Sequence, residues 1–293
     1  MANKHKRKVS LKKLHQPPGG DPAKGCLTRH EKRKENNLCS HQWQGQLQAE
    51  ADLELYRHDP KDGAHSYHSL CRKNQQDLFE VAVRSGKKGP WPSGYGVQAK
   101  GEGNGFWKKR PTCEGKEWNP AKGKNFKHFL EPYWHNAHHM VPNRLLNTTI
   151  SDIAEAEAED RAADLIYLVK GGLLRAGYNL NEQINMIILP NEQIVASALG
   201  LPRHLKGDKT GPDDTPEFRS HANYDRQVEK PLKKVIRQYA KSLRDDLKKK
   251  HLEPSDTLSK ATLEQISKDI YPQIKSGGAS RYGKPLAEIA LKF

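Results

Sequence analysis

Hydrophobic positions along this chain fall into two regimes that meet near residue 125. Before that point the sequence is polar and broken by glycine and proline, as in "QPPGGDPAKG" and "SGKKGPWPSGYGVQAKGEGNG". Only "QGQLQAEADLELYRH" and "LCRKNQQDLFEVAVRS" space their apolar residues as helices do. From Phe126 onward the pattern tightens. Residues 150–174 read as one helix, with Ser151 or Asp152 as N-cap, acids in its first turns, and Gly171-Gly172 as its stop. "INMIILP" is a β-rich run closed by Pro190, which predicts a short strand. Residues 224–247 carry Val228, Leu232, Val235, Ile236, Tyr239, Leu243 and Leu247 at spacings of three and four, an amphipathic helix with a basic outer face. A further helix is predicted over 258–274. "WHNAHHMVP", residues 134–142, reads as another short strand, ended by Val141-Pro142. The class that follows is α+β, a mostly helical C-terminal half around a small β element.

Composition sets the bounds on what such a chain can be. At 293 residues with 34% hydrophobic content it can support at least one packed core, and one or two domains. The formal net charge is +15, from 50 basic against 35 acidic side chains, which favours a polyanionic partner, nucleic acid first and acidic membrane surface second. The basic residues are spread over discontinuous segments, while 150–200 is acidic on balance. No apolar run approaches the length of a bilayer, so membrane insertion is not expected. "MANKHKRKVSLKKL" is basic and does not continue into an apolar signal core, so export without a Sec signal is expected. Cys26, Cys39, Cys71 and Cys113 stand at irregular spacings with no Cys-x-x-Cys pair, and read as reduced thiols or weak metal candidates. His30, Cys39, His41, His65, His68 and Cys71 could form a Cys/His zinc knot, although their spacing matches no known motif.

The chemistry concentrates where histidines crowd. His135, His138 and His139 stand within five residues, and "AHHMVPN" is followed in order by "AGYNLNEQINMIILP", "LGLPRHLKG" and "EFRSHANYDRQV". Neighbouring residues on a strand point to opposite faces, so two adjacent histidines can take different duties. An imidazole is a good metal ligand and titrates near neutrality, at about 6.5 when unperturbed, so it also serves as a general base. His135 reads as packing or surface, and Tyr224 as a core aromatic.

That ordered set, over residues 134–236, resembles the AHH family of the HNH/endonuclease VII (His-Me finger, ββα-metal) superfamily, found as toxin domains of bacterial polymorphic toxin systems. The resemblance implies a small ββα-metal nuclease core in which His138 binds metal and His139 activates water. It gives Asn185, on or beside the second strand, the task of holding the loop that bears the base, and makes His204 and His221 the remaining metal ligands. The helix over 151–169 would then be an insertion between the strands. The organisation expected is residues 1–125 as an accessory or targeting region, 126–250 as the nuclease domain and 251–293 as a helical extension.

His204 and His221 are separated by "GDKTGPDDTP", which cannot be helical, so a loop must bring them together; Asp208, Asp213 or Asp214 could supply an oxygen ligand instead. The ion expected is one divalent metal, Mg²⁺ foremost, with Zn²⁺, Mn²⁺ and Ni²⁺ as alternatives. The function implied is a metal-dependent non-specific endonuclease, a DNase or else an RNase, acting as an antibacterial toxin. Its implied partners are DNA or RNA, a cognate immunity protein that holds it silent in the producing cytoplasm, and a secretion component that delivers it to a target cell. The competing reading is a nucleic-acid-binding module with a structural Cys/His metal site.

Overall fold

Residues 9–15, 25–30, 33–56, 126–127, 133, 135–191, 195–196, 199–204, 221–281 and 283–293 are described by the computed structural model, the side chains of 279–281 excepted. The helical window expected at "LCRKNQQDLFEVAVRS" lies outside them, as do His65, His68, Cys71, Cys113, Asp208, Asp213 and Asp214.

In chain order, α1 (Leu11–Leu14) leads to α2 (His41–Ala51) and α3 (Leu53–Tyr56), then to β1 (His135–His139). Next come α4 (Asn143–Glu157), α5 (Ala162–Arg175) and β2 (Met186–Pro190). The C-terminal part holds α6 (Ala222–Ser242), α7 (Arg244–Lys248) and α8 (Lys260–Arg281). This is a mixed architecture, largely helical, with one small antiparallel sheet among the described residues.

Strands β1 and β2 pair antiparallel, His138 facing Ile187 and His139 facing Met186. Every residue of β2 is buried, and its alternation divides the interior. Ile187 and Leu189 join the main core with Tyr224, Val228, Leu232 and Ile236 of α6 and Ile150 and Ile153 of α4. Ile188 points the other way, to a smaller cluster with Ala49, Tyr56, Phe126 and Tyr133. Helix α2 closes on that second face because its Gly45 has no side chain; a Cβ there would sit 3.0 Å from the Ala137 methyl.

The expected single helix over 150–174 is two. α4 begins at Asn143, directly after Pro142, and buries Leu146, Ile150, Ile153 and Ala154 on one face. It ends at Glu157, where Glu155, Glu159 and Asp160 leave nothing apolar to bury, and a 3₁₀ turn over Glu159–Arg161 re-aims the chain into α5. Ser151 and Asp152 are interior to α4, so neither is a cap. Gly171 and Gly172 also lie inside a helix, since α5 runs on to Arg175. Their place is explained by close approach, because a Cβ on Gly171 would lie 2.3 Å from Pro254 Cγ and one on Gly172 2.8 Å from Leu258 Cδ1.

The first 125 residues do not stand apart where they are described. Cys26 N donates to Tyr178 O at 2.8 Å and Leu180 N to Cys26 O at 2.7 Å, so residues 25–30 run alongside the turn that precedes β2. Tyr271 Oη and Lys275 Nζ of α8 both reach Asp52 between α2 and α3. Among the described residues no helix is long and apolar enough to cross a membrane.

Candidate functional site

The two histidines of β1 leave the sheet on opposite faces, as strand geometry requires. His138 faces α6, where its ring lies 4.8 Å from that of His221 and 5.2 Å from that of Tyr224. His139 faces α2, stacked on His41 with ring centres 5.4 Å apart.

His204 is brought to His138 by backbone pairing alone. Its N–H donates to Pro190 O at 2.8 Å, which lays the chain along the end of β2. The preceding residue, Arg203, pairs with Lys284 and Leu286 on its other side. His138 Nδ1 and His204 Nε2 then stand 3.1 Å apart. His221 caps α6, and one ligand atom from each of the three histidines lies within 4.8 Å of the others. Residues 205–220, between the last two, lie outside the described part, and Asp208, Asp213 and Asp214 with them. The cluster described is all imidazole.

Behind His221 stands Asp225, one helical turn on, with Oδ1 accepting from Nδ1 at 2.9 Å. This bond fixes the tautomer and leaves Nε2 with a lone pair, the arrangement by which carboxylates orient metal-binding histidines. A separation of 3.1 Å suits two nitrogens sharing either a proton or an ion. One proton serves two rings, whereas three converging rings match the coordination of a metal ion. His138 Nε2 and His204 Nδ1 are buried with no hydrogen-bond partner among the described residues. Burial pushes the His138 and His204 imidazoles well below their ordinary range, and the nearby His221 adds to it for both, with His204 adding further for His138. Both are therefore neutral at physiological pH, the state in which an imidazole binds metal.

His139 is held from one side. Its Nε2–H donates to Asn181 Oδ1 at 3.0 Å, which leaves Nδ1 as the basic atom. Burial lowers its pKa to about 4, against the hydrogen bond to Asn181, so the unperturbed value expected from sequence does not hold. Asn181 is fully buried and its Nδ2 donates to Thr28 O at 2.9 Å and to Cys26 Sγ at 3.3 Å.

Asn185 closes the 3₁₀ turn ahead of β2 and spends its whole amide on structure. Oδ1 accepts from Val141 N and from Ser267 Oγ, each at 2.7 Å, and Nδ2 donates to Leu180 O at 2.8 Å and to Val141 O at 3.3 Å. The residue two past His139 is thereby tied to the start of β2 and to α8. Tyr224 Oη adds a bond to Met140 O at 2.6 Å, which pins α6 to the end of β1. Tyr224 is fully buried, a core aromatic as its sequence position implies. His135 is buried as well, its Nδ1 against Tyr133 O at 2.7 Å, and takes no part in the cluster.

No protein-family model, curated protein or solved structure matches this chain.

Sequence reading missed four residues that complete the site. Asp225 had the signal of a His-x-x-x-Asp spacing at a helix start. Asn181 sits in an Asn-rich turn before a strand, in "NLNEQIN". His41, a zinc-knot candidate in the sequence, is instead stacked on His139, and Arg29, which nothing local marks, comes from the same N-terminal segment. Arg29 is charged and near enough to push the His41, His138, His139 and His204 imidazoles down, after burial.

Proposed function

We propose that this chain is a metal-dependent endonuclease that hydrolyses phosphodiester bonds, with β1, β2 and α6 acting as a ββα-metal core. The observation that carries the reading is the convergence of His138, His204 and His221, with His139 beside His138 on β1 in a fixed tautomer.

Phosphodiester hydrolysis needs a deprotonated water, charge stabilisation at phosphorus and help for a poor leaving oxygen. His138, His204 and His221 would hold the ion, with Asp225 orienting the third of them. A divalent ion there supplies Lewis-acid stabilisation of the phosphate and of the leaving oxygen. His139 Nδ1 takes the proton from the attacking water, and Asn181 accepts the Nε2–H so that the resulting imidazolium stays in place. Asn185 keeps the end of β1 rigid by bonding both polar backbone groups of Val141. Arg29 lends positive charge to a site that must receive a phosphate. A donor set of three imidazoles suits Zn²⁺ or Ni²⁺ better than Mg²⁺ or Mn²⁺, which prefer oxygen ligands.

The substrate we favour is DNA, bound through its phosphates, as the net charge of +15 suits a polyanion. The resemblance to polymorphic toxins extends the proposal to an antibacterial effector, delivered to a target cell and silenced in its producer by an acidic immunity protein. Incubating the chain with supercoiled plasmid tests the core of this reading. Nicking should appear with Ni²⁺ or Zn²⁺ and stop in excess EDTA. A single-stranded RNA in parallel decides the nucleic acid. Binding of plasmid without any metal-dependent cleavage would instead favour the nucleic-acid-binding module.

A further inference from the structure

Four residues outside this site gather in a second cluster. His15 follows α1, Cys26 and His30 lie in the segment that runs beside Asn179, and Cys39 precedes the Ser40 cap of α2. One ligand atom from each lies within 4.8 Å of every other. Cys26 Sγ stands 3.4 Å from His30 Nε2 and 4.0 Å from His15 Nε2. Both cysteines are thiols, at 0% and 1% exposure. An ion bound tetrahedrally by thiolates at about 2.3 Å and imidazoles at about 2.05 Å spaces neighbouring donors about 3.3 to 3.8 Å apart, so the separations found need only a small contraction.

We infer that His15, Cys26, His30 and Cys39 form a structural zinc site that fastens the N-terminal segment to the rest of the fold. The backbone is already set for it. Cys26 is paired on both sides to Tyr178 and Leu180, Asn179 Nδ2 donates to Leu38 O at 2.7 Å, and His30 bridges to Ser40. Asn181 Nδ2 supplies the N–H···S bond to Cys26 Sγ that thiolate ligands commonly receive. The N-terminal segment adds little to the main core, where Leu27 is its buried member and Leu11 and Leu14 pack at the edge, and a closed Cys₂His₂ centre is the usual substitute for missing apolar contact.

The site would also have a consequence for the neighbouring histidines. Arg29 lies directly before His30, His41 Nδ1 bonds to His30 O at 2.6 Å, and Asn181 spans from Cys26 to His139. Whatever fixes the Cys₂His₂ loop fixes all three. The inference about zinc does not depend on nuclease activity; only this consequence rests on that reading.

The full chain, purified without added metal, should contain zinc bound through thiolate. Titration with a mercurial reagent that captures thiolates should release one zinc equivalent per chain, read with a metallochromic dye. The same release is expected from a Cys71→Ser/Cys113→Ser variant, which excludes the other two thiols. A His138→Ala/His221→Ala variant should release it too, which separates this centre from the histidine cluster. Cobalt exchanged into wild type and into that variant should give the thiolate-to-metal charge-transfer absorption that an all-imidazole site cannot give, and Cys26→Ser should abolish it. Absence of thiolate-dependent cobalt absorption from wild type would overturn the inference, as would a Cys26–Cys39 disulfide in the native chain. Neither of these wild-type readouts depends on a variant folding.

Discussion

His138 and His139 differ by one position and meet unlike surroundings, and at the residue scale that difference is the basis of the proposed chemistry. The carboxylate of Asp225 contacts no atom of a substrate in this account; it is a positioning residue that holds His221. Asp225→Ala should weaken metal binding about 10- to 100-fold by calorimetry, a readout that mere loss of helix stability would not move. The buried imidazoles make a second prediction. His41, His138, His139 and His204 are all held below the ordinary imidazole pKa, chiefly by burial. The unfolded chain therefore binds more protons once pH drops below about 6.5, and stability is full above that value and lost beneath it. For His139 the loss continues down to its folded-state pKa of about 4. Each such histidine contributes roughly 1.4 kcal/mol per pH unit within its window. Urea melts of EDTA-treated protein should show a steep fall from pH 7 to pH 5, and a flat profile would mean that these rings are not buried neutral. The histidines and Asn185 were legible because they stand in a recognisable order. Asn181, His41 and Arg29 were not, because each acquires its role from a neighbour far away in sequence.

Elements were legible where one face is apolar and the other charged. The α6 periodicity places Tyr224, Val228, Leu232, Val235, Ile236 and Tyr239 inside, as its spacing predicts. The β2 run was equally clear. The division of α4 from α5 was hidden because "AEAEAED" has good helix formers throughout, and only the absence of anything to bury breaks the helix there. The glycine pair was misread because sequence cannot distinguish a helix stop from a close crossing. Gly171→Ala tests the crossing. In an open helix interior alanine gains about 1 kcal/mol of helix propensity over glycine. Here the methyl meets the rigid ring of Pro254, so the variant should melt below wild type in a thermal scan. A higher melting temperature would mean that Pro254 does not crowd this position.

Over the whole molecule, the composition break near residue 125 is real in sequence but does not mark where the interior ends, since Ala49, Tyr56 and Leu27 are buried with residues from the other side of it. The basic charge is likewise organised only in three dimensions. Arg226, Lys230, Lys234, Arg237 and Lys241 are exposed along one face of α6, which begins at His221, while Lys233 is half-buried and paired with Glu229 at 2.7 Å. Nucleic-acid affinity should fall steeply with salt. Lys230→Ala/Lys234→Ala/Arg237→Ala should flatten the log–log slope by up to about 2.7 if each residue neutralises one phosphate; an unchanged slope would mean that this face does not meet the substrate. The central claim, that adjacent residues of β1 supply a metal ligand and a separate base, is tested most directly by His139→Ala, with metal affinity and plasmid nicking measured on the same preparation. The account predicts metal affinity equal to wild type and turnover lower by about 10² to 10⁴, against loss of both in His138→Ala. A His139→Ala protein that nicks plasmid at the wild-type rate would contradict it.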